Sequence, residues 1–126
     1  MTELTAQDVF RMHPRIRWAA LASGQGEVIF SEMRPGVKSL GGERGEQERD
    51  AFMEIGPHIL MGAFERLSPY AGPISVIFGD YEKIMMLISK INGNYLAFSI
   101  EKYPVADLPN IIPTLLASLQ QLSREP

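Results

Sequence analysis

Residues 78–98, FGDYEKIMMLISKINGNYLAF, hold an Asn-Gly pair between two apolar runs. Asn92-Gly93 is a strong signal for a type I′ β-hairpin, because both residues tolerate the positive φ that this turn requires. A surface hairpin alternates apolar and polar residues, yet Ile84-Met85-Met86-Leu87-Ile88 is apolar without interruption. Pairing Ile91 with Asn94 puts Leu87 opposite Phe98 and Met85 opposite Ile100 on one face. The same register puts Ile88 opposite Ala97 and Met86 opposite Ser99 on the other. Both faces carry apolar area and both need a cover, so these strands belong between two layers of helix.

The rest of the chain supplies those layers. Thr5, followed three residues later by Asp8, starts a short helix with Val9, Phe10 and Met12 as its apolar members, and His13-Pro14 ends it. Ile16 to Ala22 reads as a strand, Ser23-Gly24-Gln25-Gly26 as a turn and Glu27 to Met33 as the returning strand. Residues 34–45, RPGVKSLGGERG, are rich in glycine and read as a mobile connection. From Glu46 to Leu67 the apolar period changes to about 3.6. Phe52, Ile55, Ile59, Ala63, Phe64 and Leu67 form one stripe of a long helix, with Gly56-Pro57 kinking or dividing it. Pro69 to Pro73 is a loop. Ile74 to Phe78, Lys83 to Ile91 and Asn94 to Glu101 make a three-stranded meander, turned by Gly79-Asp80 and Asn92-Gly93. Tyr103-Pro104 breaks the sheet. A last helix spans Asn110 to Arg124, with Pro113 tolerable in its first turn. The expected fold class is α+β, one domain over 1–126: a five-stranded antiparallel sheet sandwiched between helices in the order α-β-β-α-β-β-β-α.

That order, with the hairpin GQGEVIFSE and the segment YEKIMMLISKINGNYLAFSIE, resembles the roadblock family of profilin-like α/β/α domains. The resemblance spans residues 5 to 124 and is nearest to short archaeal members, many of uncharacterised function, in which a stretch like Tyr81-Glu82-Lys83 opens the fourth strand. It implies a non-catalytic module that dimerises by pairing third strands, with long helices side by side. Such dimers commonly serve as platforms for small Ras-like GTPases. Carried onto this chain, the third strand is Ile74 to Phe78 and the long helix Glu46 to Leu67; Gly56-Pro57 departs from the usual uninterrupted helix.

The residues point to self-association by a separate route. Phe52, Ile55, Ile59 and Phe64 suffice to bury the long helix on its own sheet, which leaves Met53, Leu60 and Met61 facing a partner. Ile74, Val76 and Phe78 lie on a strand with no charge to guard it at an edge. The expected dimer interface is therefore Met53, Leu60, Met61, Ile74, Val76 and Phe78. An alternative reading is a profilin-like or PAS-like small-molecule sensor, although large side chains on both sheet faces give no sign of a cavity.

Composition narrows the chemistry. There is no cysteine, which removes disulfides, thiolate catalysis and cysteine-held zinc. A net charge of −3 leaves no footprint for nucleic acid. The longest apolar run is too short to span a bilayer, and the acidic N-terminus lacks a signal core, so a soluble cytoplasmic protein is expected. His13 and His58, the only histidines, stand in no motif. The glycines of LGGERGEQ are not followed by Gly-Lys-Ser/Thr, so they do not form a phosphate loop. Glu43, Glu46, Glu48, Asp50 and Glu54 read as a solvated acidic helix start. Arg15 and Arg17 read as solvent-facing and Trp18 as core. No cofactor, metal or catalytic residue is expected, and the chain is not expected to be an enzyme.

Overall fold

The computed structural model describes residues 3–102 and 107–124. Its elements are α1 (Ala6–Phe10), β1 (Ile16–Ala22), β2 (Val28–Met33), α2 (Gly42–Glu65), α3 (Ser68–Ala71), β3 (Val76–Asp80), β4 (Ile84–Ile91), β5 (Asn94–Glu101) and α4 (Leu108–Arg124). The five strands form one antiparallel sheet in the order β2-β1-β5-β4-β3. The break expected at Tyr103-Pro104 lies outside the described residues.

The Asn92-Gly93 turn has positive φ at both residues, 50° and 83°. Its register is the one expected, from Ile91 opposite Asn94 through Ile84 opposite Glu101. One face of the sheet carries Met85, Leu87, Phe98 and Ile100, packed under α1 (Ala6, Val9, Phe10) and α4 (Ile111, Leu115, Leu119). The other carries Trp18, Ala20, Met86, Ile88 and Ala97, packed under Met53 and Met61 of α2. The three layers follow from apolar residues on both sheet faces, each of which excludes water only under a helix.

Local signals hold at α1. Thr5 caps it in a reciprocal capping box: the Thr5 hydroxyl accepts from the Asp8 N–H, and the Asp8 carboxylate accepts from the Thr5 N–H. β1 and β5 have the expected bounds, whereas other boundaries shift. The long helix starts at Gly42 rather than Glu46, and Pro57 lies within it without dividing it. Pro57 is fully buried, so its ring contributes apolar burial where its missing N–H weakens the helix. A short helix, α3, replaces the expected loop after Leu67, with Pro69 in its first turn. β3 begins at Val76 and continues through Gly79 and Asp80, which pair with Met86 and Met85 instead of turning. α4 begins at Leu108, which moves Pro113 out of the first turn. The connection after β2 is tied down. The Arg34 guanidinium donates to the carbonyls of Phe10, Pro14 and His13, and Arg17 Nη2 donates to the Lys38 carbonyl at 2.9 Å.

Candidate functional site

Two features of the surface are not explained by the protomer's own packing: the outer face of α2 and a cleft beneath its N-terminal half. The rotation of α2 reverses the expectation for this helix. Met53 and Met61 are 1% and 0% exposed and belong to the core, whereas Ile55 and Ile59 are each 62% exposed. Leu60, Phe64 and Leu67 are exposed as well.

The physical reason lies in the sheet. The residues under α2 include Ala20, Ala22 and Ala97. Their small side chains let the helix approach closely, and flexible Met53 and Met61 fill the gap better than β-branched Ile55 and Ile59 would. The β1–β2 turn sets the same rotation. A Cβ on Gly26, whose φ is +86°, would lie 2.3 Å from the Glu54 carbonyl oxygen. Only glycine allows the turn to touch the helix backbone there.

Of the residues expected at a dimer interface, Leu60 lies on the exposed side of α2, while Met53 and Met61 are corrected to core positions. Ile74, Val76 and Phe78 are half-buried and divided between faces. Val76 and Phe78 pack toward the α1/α4 core, and Ile74 packs toward the α2 core. β3 remains an edge strand, with β4 on one side only. Its one charge, Asp80, is held by the Lys102 ammonium. Of the residues expected to face inward, Phe52 packs against the core beneath α2, whereas Ile55, Ile59 and Phe64 are turned outward. Leu60 is exposed further round the helix, and Leu67 is exposed just beyond its C-terminal end.

The cleft holds about 390 Å³. Its floor is a cross-strand row, Met33–Trp18–Ser99–Met86, that runs from β2 to β4 on the α2 side. In the neighbouring row Ala20, Ala97 and Ile88 are buried with Met53 and Met61. At four-residue intervals before Met61, the helix carries Pro57, Met53 and then Arg49. An arginine therefore stands where the apolar line would continue over Trp18 and Ser99. Arg49 Nη1 donates to the Leu40 carbonyl at 3.2 Å and Nη2 to the Ser39 hydroxyl. Its Nε is buried and meets no acceptor among the described residues. Burial pushes the guanidinium below its usual range, and Arg17 acts in the same direction, while Glu46 and Asp50 oppose the shift. Arg17, expected to face solvent, is half-buried and lines the same cleft, with Tyr81, Glu82 and Lys83 on the opposite rim. Trp18 is core as expected, and its indole N–H donates to the Ser31 hydroxyl at 3.1 Å.

The histidines have structural partners. His13 Nδ1 accepts from the Arg15 N–H at 3.1 Å, and the His58 ring stands edge-on to Tyr95 at 5.9 Å. Among the described residues no group of three or more His, Asp or Glu side chains is gathered for a metal ion, and no helix is long and apolar enough to cross a membrane.

No protein-family model and no curated protein matches this chain. Solved structures do. A Roadblock/LC7 domain from Streptomyces avermitilis aligns with a TM-score of 0.59 at 14% identity, over 88% of this chain and 82% of that one. The gliding protein MglB from Thermus thermophilus aligns with a TM-score of 0.58 at 10% identity, over 95% and 86%. An MglB with a tetrameric arrangement aligns with a TM-score of 0.57 at 10% identity, over 93% and 83%. The chain has the roadblock fold.

Proposed function

We propose that this chain is a non-catalytic interaction module that forms a homodimer through the outer face of α2 and the free edge of β3. The observation that carries this reading is the set of exposed apolar side chains on α2: Ile55 and Ile59 are each 62% exposed on its outer face, Leu60 and Phe64 are exposed further round the helix, and Leu67 is exposed just past its end. Large apolar side chains left exposed together on one helix mark an interaction site. The edge of β3 offers unpaired backbone groups that a two-fold copy of the same strand could satisfy. One MglB of the same fold adopts a tetrameric arrangement, which supports self-association as a use of this architecture. The roadblock resemblance supports a small Ras-like GTPase as the partner class, and a cytoplasmic location is part of the same proposal.

Sedimentation velocity at micromolar concentration tests the dimer, and a protein that stays at protomer mass throughout refutes it. Affinity capture from the native organism tests the partner class; recovery of no GTPase in repeated captures removes that part of the proposal.

A further inference from the structure

The cleft under the N-terminal half of α2 is built like a ligand site rather than a packing fault. Its floor is apolar, with Trp18, Met33 and Met86 side by side, and one hydroxyl-bearing residue, Ser99, is set among them at 4% exposure. Its volume of about 390 Å³ is in the range of small-molecule sites. The polar groups at its border are mostly cationic: Arg17, Arg49 and Lys83 against the single carboxylate of Glu82. This local sign is opposite to the chain's net charge of −3. Glu46 and Asp50 lie behind Arg49, in a smaller adjoining pocket that shares Trp18 and Met33.

Arg49 is the most informative residue. A guanidinium has five N–H donors, and hydrogen bonds to Ser39 and Leu40 engage only its two terminal nitrogens. Leaving a buried Nε–H without an acceptor is costly, and an anchor for the 34–41 connection has no need of it. A helix that needed only to cover Trp18 and Ser99 would carry an apolar residue at position 49, as it does at 53 and 61. The surrounding backbone is braced. Arg17 holds Lys38, Arg49 holds Leu40, and Lys102 donates to the Tyr81 carbonyl at 2.8 Å on the far rim.

We infer that this cleft binds a small amphipathic anion, whose hydrocarbon body lies on Trp18, Met33 and Met86 and whose carboxylate or phosphate is taken by Arg49 and Arg17, with Lys83 at the mouth. The site is independent of whether the chain dimerises. Charge-assisted pairing with a planar guanidinium fits either oxyanion.

Trp18 is the only tryptophan, so its fluorescence reports on the cleft floor alone. The full chain is titrated with octanoate, octyl phosphate, 1-octanol and inorganic phosphate. Octanoate, octyl phosphate or both change Trp18 emission saturably, and which of them binds more tightly identifies the anion. Octanol binds at least about tenfold more weakly, because it lacks the charge. Inorganic phosphate leaves the emission unchanged, because it lacks the body. R49Q weakens the amphiphile about tenfold or more, and K83E, at an exposed rim position, weakens it about threefold or more. K83E keeps the test decisive if R49Q does not fold. The inference is overturned if neither amphiphile binds up to on the order of 5 mM. It is equally overturned if octanol matches octanoate, or if folded R49Q or K83E binds as the unaltered chain does.

Discussion

Replacing Ile59 by glutamate separates the two faces of α2. Ile59 is 62% exposed in the protomer, so a two-fold partner can bury roughly two thirds of a side chain whose full burial contributes about 1.5–3 kcal/mol. That is about 1–2 kcal/mol per copy. An isologous interface contains the residue twice, so the dimer loses about 2–4 kcal/mol before any cost of burying the new carboxylate. At tenfold per 1.4 kcal/mol, the dimer dissociation constant rises roughly 30- to 700-fold. Sedimentation velocity across about 1–100 µM reads this directly as a shift from dimer to protomer mass. The protomer's own stability changes by no more than about 0.5 kcal/mol, because the residue touches little of its own core. That comparison is made by denaturant unfolding at concentrations where both proteins are monomeric, since association itself raises apparent stability. If I59E keeps the mass distribution of the unaltered protein, the outer face of α2 is not the interface. If instead it loses several kcal/mol as a monomer, the rotation assigned to α2 is wrong.

Three further outcomes follow from the same packing. Met61→Ala empties a position that is 0% exposed, and urea unfolding should show a loss of about 2–5 kcal/mol; a loss below about 1 kcal/mol contradicts its place in the core. Gly26→Ala sets a Cβ against the Glu54 carbonyl at a φ of +86°, so it should destabilise by more than about 1 kcal/mol, and a neutral result in thermal melts would show that the turn and α2 do not touch. The His13 imidazole is held below its ordinary value near 6.5, first by burial and then by the positive charges of Arg15 and Arg34. Folding therefore disfavours its protonated form, and stability present above about pH 6.5 is lost as pH falls from there through the lowered native value. His13→Gln should flatten this part of the stability–pH profile, and an unchanged slope would assign it to other groups.

The legible parts of the molecule were those whose signal is local or two-fold periodic. Thr5 and Asp8 announce a capping box in four residues, and β1 runs over Ile16–Ala22 as expected, although an irregularity between Ile16 and Trp18 sends these two side chains to opposite faces. Asn92-Gly93 sets a register, and that register alone assigns every residue of β4 and β5 to a face. The cleft was not legible. Its floor joins residues from four strands, and its arginines come from β1 and α2, so it exists only once the sheet is assembled. Arg49 did leave one trace, a charge four residues before Met53 on a line that becomes apolar. Without knowing which line faces the sheet, that trace has no meaning.

The sequence by itself determined that the sheet must be covered on both sides, because a strand pair apolar on both faces is insoluble in any other arrangement. It also determined the order of the main elements and the pairing of β4 with β5. Only the tertiary structure decided how α2 is rotated. The helix is apolar around much of its circumference, so a period of 3.6 is satisfied by several orientations. The choice between Met53/Met61 and Ile55/Ile59 was made by what lies beneath: alanines that admit a close approach, and a glycine turn that meets the helix backbone at Glu54. That one rotation turns Ile55 and Ile59 to the surface and carries Arg49 over the row of Trp18 and Ser99.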